Sequence, residues 1–262
     1  MKKPPTAPRR IEIENRKGIY IIRVPHEKIS IIKPHVTKLL TFNKSVYDAL
    51  NVELVVNGGY FDANNKRTVS YVVINGETVL DPTKNESLMN NVSLGHHIDE
   101  ILDRTEFRVL NCGGEMKFDI QKHSAPACKR RFGRCKIVHS IQAGPELYPN
   151  LTMEEEYFVS KNEDGKVVRD SITALKKCAR TAIGIKDNDI YLIIATVKHK
   201  VTLPELSKLC AELQLDKAMN FDGGGSTSLN FKGTDNPEYK DFEIISDKKQ
   251  SARKLKSFLI IN

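Results

Sequence analysis

The chain reads AMNFDGGGSTSLN over residues 218–230, and no other stretch says more about how this protein is built and used. Its first four residues are typical of the end of a buried strand, which delivers Asp222 into three successive glycines and then three hydroxyl-bearing residues. Glycine adopts positive φ and lets backbone approach a ligand closely, and successive N–H groups in such a turn can hold an anionic oxygen. The stretch therefore predicts a phosphate or sugar site; the alternative is a plain Asp-Gly hairpin turn.

Three further segments share this pattern, in which a strand runs into or out of glycine and polar residues. They read VELVVNGGYFD at residues 52–62, HSIQAGPELY at residues 139–148 and ARTAIGI at residues 179–185. Strand candidates dominate the chain, without a regular βαβ alternation or a phosphate-binding P-loop. We therefore predict an α+β fold with a mixed β-sheet core and a few packed helices, and an active cleft at the glycine-rich strand ends.

Helical periodicity is clear in one place. Over residues 202–213 the leucines recur at helical spacing, and Thr202 with Glu205 forms a capping box. A second helix is predicted over residues 45–50, with Ser45 as its N-cap.

Strand patterns and turn residues predict most of the remaining elements. Strands are expected at residues 11–13, 18–24, 29–32, 71–74, 78–80, 88–94, 107–110, 157–160, 189–197 and 256–261. Residues 113–134 are polar and glycine-containing, which predicts an irregular lid or insertion. A short helix is expected before Arg180.

The length of 262 residues suits one large domain with a small extension. We predict a disordered segment at residues 1–10, an N-terminal strand extension at residues 11–44 and the main domain at residues 45–262. No stretch is long and apolar enough to span a bilayer, and the basic N-terminus lacks the apolar core of a signal peptide. These features predict a cytoplasmic protein, or a secreted one if a leader has been removed.

The net charge of +8 allows an anionic substrate, a nucleotide or a nucleic acid as partner. Basic residues cluster only at residues 129–134 and 248–256, and neither cluster has the interleaved aromatic residues of a single-strand binder. A solvated, lysine-rich surface is the alternative. The composition does not predict an oligomeric state.

Cysteine usage leaves two interpretations open. The five cysteines are Cys112, Cys128, Cys135, Cys178 and Cys210. Their odd number argues against a complete disulfide framework, although Cys128 and Cys135 could pair in an oxidising compartment. Together with Cys112, His123 and His139 they also sketch a zinc cluster, but the spacing fits no ligand template. No cofactor is assigned, and a divalent cation near Asp222 stays an option.

The motifs together resemble those of the phosphodiester glycosidase family. NGGYF, QAGP, RTAIG, the helix TLPELSKLCAEL and NFDGGGST occur here in the family's order, over roughly residues 45–262. One departure is the pair Lys200-Val201, where a glycine is expected just before the helix. The resemblance implies a hydrolase that cleaves a glycosidic phosphodiester, in which a sugar-1-phosphate is linked to an alcohol, a nucleotide or a second sugar.

Such a reaction needs charge stabilisation on the phosphate and a carboxylate that acts as base or nucleophile. Arg180 suits the phosphate because a guanidinium matches its oxygens in a bidentate fashion. Asp222 is the first choice for the carboxylate and Asp62 the second. The residues predicted to bind substrate are Asn57, Gly58, Gly59, Tyr60, Gln142, Gly144, Thr181, Gly223, Gly224, Gly225, Ser226 and Thr227.

Each of these roles has a structural alternative. Arg180 can form an ion pair with Asp222, Asp62 can cap a turn, and Tyr60 can belong to the core. His96 and His97 are candidates for an acid or base, although a surface role suits them better. A second function is a catalytically altered family member that binds an anionic glycan or a nucleic acid through its basic residues.

Overall fold

A computed structural model describes residues 11–126, 135–232, 239, 241–245 and 252–262. The predicted disordered segment 1–10 and the basic loop 129–134 lie outside these residues. The strands are β1 Glu12–Arg16, β2 Ile19–Val24, β3 Ile32–Thr41, β4 Leu54–Asn57, β5 Val72–Ile74, β6 Glu77–Leu80, β7 Thr105–Cys112, β8 Glu115–Lys122, β9 Cys135–Gln142, β10 Glu146–Tyr148, β11 Val159–Lys161, β12 Val167–Asp170, β13 Arg180–Lys186, β14 Asp189–Ala195, β15 Lys217–Asn220, β16 Ser228–Phe231, β17 Phe242–Ile245 and β18 Leu255–Ile261. The α-helices are α1 Asn43–Leu50, α2 Glu86–Met89, α3 Ile98–Leu102 and α4 Leu203–Glu212. Within the described ranges no helix has the length and apolar character of a membrane span.

The strands form three large sheets and a two-stranded ribbon. The sheet orders are β1-β2-β14-β13-β15-β10, β17-β16-β4-β18-β3 and β6-β5-β9-β7-β8, with β11-β12 as the ribbon. Every pairing among the described strands is antiparallel. The prediction of a mixed sheet was therefore wrong, and the chain is mostly β, with the helices packed around the sheets.

The helix α4 explains why a mixed sheet was expected. It connects β14 to β15, and such a crossover usually joins parallel neighbours. Here β13 lies between these two strands and pairs antiparallel with both. The crossover therefore links two strands that run in the same direction without placing them side by side.

Local sequence accounts for the elements that bracket the site. In the β13–β14 hairpin, Asp187 and Asn188 both have positive φ, as a two-residue hairpin turn of matching twist requires. The predicted capping box of α4 is present, because the Thr202 hydroxyl accepts from the Glu205 N–H while the Glu205 carboxylate accepts from the Thr202 N–H. Helix α1 begins two residues earlier than predicted, with Phe42 rather than Ser45 at the N-cap.

Three predicted elements were wrong. Residues 88–94 were expected to form a strand but lie in α2 and a 3₁₀ turn, where Leu88 and Leu94 bury one apolar face together with Ile101. The expected irregular insertion contains β8, which pairs with β7 along its whole length. No helix forms between β12 and Arg180.

The core lies between the three large sheets. Its largest apolar cluster includes Leu192 from the first sheet, Leu229 from the second and Ile141 from the third, all fully buried. The N-terminal extension is hydrogen-bonded into this framework, since β2 pairs with β14 and β3 pairs with β18. The sheets therefore hold their strand ends in fixed relative positions.

The disulfide joins a different pair from the one that the sequence left open. Cys135 is bonded to Cys112, because the two cysteines lie directly opposite each other where β7 pairs with β9. Cys128 lies outside the described residues. The described Cys178 and Cys210 are free, and no group of three potential metal ligands occurs within the described ranges.

Candidate active site

The four motif-bearing segments meet at one place. The Asp222 N–H donates to the Gly58 carbonyl at 3.0 Å, and the Gly224 N–H donates to the Ala179 carbonyl at 2.8 Å. Tyr60 reaches the third segment through a hydrogen bond from its hydroxyl to the Gly144 carbonyl at 2.9 Å. Four segments that are far apart in sequence are therefore joined by hydrogen bonds around the triple-glycine turn.

Asn57 is the centre of this junction. Its fully buried amide donates from Nδ2 to the Asp222 carbonyl at 2.6 Å, and its Oδ1 accepts from the Thr181 hydroxyl at 2.8 Å and from the Ser228 N–H at 3.1 Å. Thr181 also lies 3.3 Å from the hydroxyl of Thr227. These contacts hold Asp222 in position. Asn57, Thr181 and Thr227 were predicted to bind substrate, a role that stays a prediction.

Asp222 is a half-buried carboxylate that directly precedes the triple-glycine turn. Burial raises its pKa from the ordinary value of 3.8 to about 6, while the Ser226 hydroxyl, the charge of Arg253 and the Gly223 N–H oppose that rise. The Gly223 N–H lies 2.9 Å from Oδ1. A carboxyl group that titrates near neutrality can exchange protons at physiological pH, which is a property of catalytic acids and bases.

Each of the three glycines in the turn is explained by a different structural feature. Gly223 is extended, and a Cβ there would lie 3.0 Å from the Ala179 carbonyl oxygen. Gly224 has φ +61°, and no heavy atom would lie within 4 Å of a Cβ placed on it. At Gly225 a Cβ would lie 3.3 Å from the guanidinium of Arg253. The turn thus has one open position, and one of its glycines makes room for an arginine.

Arg253 is a cation that the sequence patterns did not single out. Its side chain is exposed, packs on Gly225 and acts electrostatically on Asp222. It makes no hydrogen bond and no ion pair with the described residues. Arg253 therefore presents a free guanidinium beside the carboxylate.

The Ser226 hydroxyl lies close to Asp222 without a hydrogen bond of normal geometry. The residue is fully buried, its Oγ meets no hydrogen-bond criterion with the described residues, and it still lowers the pKa of the Asp222 carboxyl group. Buried polar atoms are nearly always satisfied, so a hydroxyl this weakly engaged beside Asp222 is consistent with a ligand or a water as its partner. The predicted role of Ser226 at the substrate gains support from this arrangement.

Tyr60 forms a half-buried wall next to the carboxylate. Its hydroxyl accepts from the Asn220 amide at 2.7 Å while donating to Gly144, and its ring lies against Phe158. Burial, and then the negative charge of Asp222, raise the pKa of the Tyr60 phenol well above its ordinary value. Tyr60 is therefore neutral at physiological pH and serves as a hydrogen-bonding wall.

Arg180 is buried beneath the turn, with only 2% of its surface exposed. Its guanidinium donates to four backbone carbonyls, those of Val201, Ile172, Thr173 and Lys176, at 2.6–3.3 Å. Burial lowers its pKa, and no ion pair joins it to Asp222 within the described residues. Its contacts are those of a structural residue, and its role at a phosphate stays a prediction.

Several predicted substrate residues are packed against protein. A Cβ on Gly58 would lie 2.5 Å from Ile141, and a Cβ on Gly59 would overlap the Gln142 carbonyl. The Gln142 amide donates to the carbonyls of Leu102 and Arg104 and accepts from the Tyr71 N–H. Gly144 has φ +84° and lies against the carboxylate of Glu156. Their described role is the close packing of the segments that support the site.

Asp62 and the histidines are engaged elsewhere. The Asp62 side chain accepts from the Asn64 N–H at 2.8 Å and closes a turn with Arg67. His96 is exposed, while His97 pairs with Glu100 and stacks on Tyr157. No described contact brings either histidine to Asp222.

Sequence reasoning also missed Glu156 and Arg104. Glu156 belongs to the run Glu154-Glu155-Glu156, which looks like a solvated charge cluster, yet it is fully buried. Arg104 precedes β7 and has 6% of its surface exposed. No sequence pattern singled out either residue, because burial and contacts in the folded chain define both.

Comparison with known proteins agrees with the motif pattern. A sequence profile of the phosphodiester glycosidase family matches residues 50–261, while no curated protein sequence matches the chain. The catalytic domain of zebrafish N-acetylglucosamine-1-phosphodiester alpha-N-acetylglucosaminidase, auto-inhibited by its pro-peptide, is similar with a TM-score of 0.60 and 14% identity, over 97% of this chain and 82% of that one.

Two bacterial structures share the fold. A hypothetical protein from Synechocystis has a TM-score of 0.61 and 12% identity over 96% of this chain and 61% of its own length. A protein of Burkholderia pseudomallei K96243 has a TM-score of 0.63 and 11% identity, over 93% of this chain and 73% of that one. The present chain thus spans about three fifths of the Synechocystis protein.

Proposed function

The chain belongs to the phosphodiester glycosidase family, and from that premise we propose that it hydrolyses the bond between the anomeric carbon of a sugar and a phosphate oxygen of a phosphodiester. The observation that carries the proposal is the Asp222 carboxyl group. It lies at the triple-glycine turn, where burial raises its pKa to about 6, beside the weakly engaged Ser226 hydroxyl and the Arg253 guanidinium, which makes no ion pair with the described residues.

Asp222 supplies the carboxylate that the reaction needs. Above pH 6 it is ionised, so it acts as a base towards water or as a nucleophile on the anomeric carbon rather than as an acid. The phosphate is a good leaving group and needs little protonation, so one carboxylate with cationic support is sufficient. Arg253 keeps the carboxylate ionised and attracts an anionic substrate.

The neighbouring groups orient the reactants. The Ser226 hydroxyl lies beside Asp222 without a hydrogen bond of normal geometry, so it can turn to a substrate oxygen or to the attacking water. The open position at Gly224 gives substrate access to the backbone N–H groups of the turn. Tyr60 borders the sugar, and Asn57 fixes Asp222 through its backbone carbonyl.

The test is product analysis with a panel of nucleotide-sugars and sugar-1-phosphodiesters, beginning with UDP-N-acetylglucosamine. The proposal predicts free sugar and a phosphomonoester in equal amounts. A panel that stays intact across pH and with or without divalent ions would remove the proposal and favour a binding role. Divalent ions are included in the assay because a carboxylate such as Asp222 can act with or without a bound cation.

A further inference from the structure

We propose that Arg104 forms a buried anion subsite of this active site, and that it receives a phosphate group of the substrate on the side of Tyr60 opposite Asp222. The inference rests on the proposed function for the identity of the substrate. It assigns the phosphate to an arginine other than Arg180, the residue that the sequence motif favours.

The Arg104 guanidinium is buried but largely unused. Its Nε donates to the Glu156 carbonyl at 3.1 Å, while both terminal nitrogens lack a hydrogen-bond partner in the described structure. Arg180 and Arg108 have 2% and 0% of their surface exposed, against 6% for Arg104, and they donate from Nε and from both terminal nitrogens. Arg104 thus differs from the structural arginines of this fold in keeping donors for a ligand.

The positive charge of Arg104 also lacks a counter-ion. No described carboxylate lies within ion-pair distance of it. The Glu156 carboxylate acts on it from further away, but its oxygens accept from the Thr105 N–H and hydroxyl, the Thr152 hydroxyl and the Glu146 N–H. Arg104 keeps 6% of its surface exposed, and an anionic ligand would supply the counter-ion that this largely buried charge lacks among the described residues.

The pKa of Arg104 is consistent with this geometry. Burial lowers it to about 10, the negative charge of Glu156 opposes that shift, and the charge of Arg169 adds to it. Arg104 still stays protonated at neutral pH. Arg169 strengthens the positive field, with its guanidinium 4.6 Å above the Tyr157 ring.

Packing fixes the orientation of the guanidinium in advance. Its central carbon lies 3.7 Å from the ring centroid of Phe158, which is fully buried. A stacked guanidinium held through Nε leaves its terminal fork free, and that fork matches two phosphate oxygens. Little side-chain freedom is therefore lost when an anion binds.

Tyr60 connects the subsite to the carboxylate. Its ring contacts Phe158 at a centroid distance of 5.7 Å, and the charges of both Asp222 and Arg104 act on its hydroxyl. A substrate whose anomeric carbon is at Asp222 would extend along Tyr60 to place a phosphate at Arg104. That phosphate is either the scissile one or the second phosphate of a nucleotide-sugar.

The experiment is calorimetric titration of the full chain with inorganic phosphate. We expect Arg104→Gln and Arg104→Lys each to weaken phosphate binding about tenfold or more, because a bidentate charged contact is lost in both. Lys208→Gln, which removes one exposed charge on α4, should leave the affinity unchanged. Thermal melts accompany each variant, and Arg104→Lys carries the test if Arg104→Gln is poorly folded.

The comparison of ligands distinguishes the two phosphate sources. Glucose-1-phosphate and UDP-glucose are titrated into wild type and Arg104→Lys. If the substitution weakens the affinity for UDP-glucose but not that for glucose-1-phosphate, Arg104 binds the second phosphate. Wild-type affinity in a folded Arg104 variant for all three ligands, or no phosphate binding by wild type, would overturn the subsite. Arg104-dependent phosphate binding without hydrolysis of any diester would instead leave the subsite standing and remove the proposed function.

Discussion

The charge of Arg253 is predicted to set the pH at which Asp222 ionises. Arg253 opposes the burial that raises the Asp222 pKa to about 6, so Arg253→Gln should raise that pKa further. Because Arg253 is exposed, we assign the pair the free energy of a surface ion pair, about 0.2–1 kcal/mol. At about 1.4 kcal/mol per pKa unit, the expected rise is about 0.1–0.7 unit.

The assay is the pH dependence of kcat/KM at low ionic strength. If ionised Asp222 is the active form, the wild-type rate falls about tenfold per pH unit below about 6. In Arg253→Gln this acidic limb should move to higher pH, while the rate on the alkaline plateau changes less. Added salt should shift the wild-type limb in the same direction, because salt screens the exposed guanidinium.

The matched control is Lys254→Gln, which removes the same charge from the adjacent exposed residue. Lys254 lies over the Phe42 ring, and its charge does not contribute to the pKa of Asp222. An unchanged limb in Arg253→Gln, or an equal shift in Lys254→Gln, would refute the assignment of Arg253 as the local cation.

Three further changes test the structural roles. Gly144→Ala should destabilise the fold by about 2–5 kcal/mol, because Gly144 has φ +84° and an added Cβ would overlap Glu156. Urea unfolding measures the loss of stability. Gly95→Ala is the neutral control, since Gly95 has an ordinary φ and open space around it. Ser226→Ala should change the melting temperature little, since its hydroxyl makes no hydrogen bond of normal geometry with the described residues, yet lower kcat about tenfold or more; unchanged turnover would mean that the hydroxyl has no part in the reaction. Arg180→Gln should cost about 3–5 kcal/mol because it leaves four carbonyls without their donor; a stable variant with a raised KM would instead support the predicted phosphate contact of Arg180.

The strand ends that form the site could be predicted because their signals are local. Apolar residues followed by glycine mark the ends of β4, β9 and β15, and hydrogen bonds between the four segments bring them to one place. Helix α4 was equally clear, since its capping box and leucine spacing lie within twelve residues. Such features depend on neighbouring residues and survive in any tertiary context.

Pairing direction and the short helices could not be predicted in this way. Whether α4 joins neighbouring strands depends on β13, whose place between β14 and β15 is a long-range property. Residues 88–94 have the apolar content of a strand, but burial against Ile101 favours helical turns. Likewise Cys135 faces Cys112 only because β7 and β9 pair in that register.

The roles of the arginines also could not be predicted from the sequence. The motif RTAIG draws attention to Arg180, but sequence does not reveal that four carbonyls already occupy its donors. Arg104 and Arg253 belong to no motif, yet among the described residues each keeps guanidinium nitrogens without a hydrogen-bond partner, near Tyr60 and Asp222. Which cation is available to a ligand depends on the contacts of each, and these exist only in the folded chain.

The most direct measurement of the central claim is turnover of a glycosidic phosphodiester by Asp222→Asn, with Asp62→Asn as the matched carboxylate control. Asp222→Asn should fold at least as stably as wild type at neutral pH, because burial raises the Asp222 pKa above its unfolded value and the ionised carboxylate therefore costs stability as pH rises through about 6. The account predicts a loss of kcat of about a hundredfold or more in Asp222→Asn with little change in substrate affinity. Asp62→Asn should keep wild-type turnover, since Asp62 only closes a turn. Near-wild-type turnover by folded Asp222→Asn would contradict the claim.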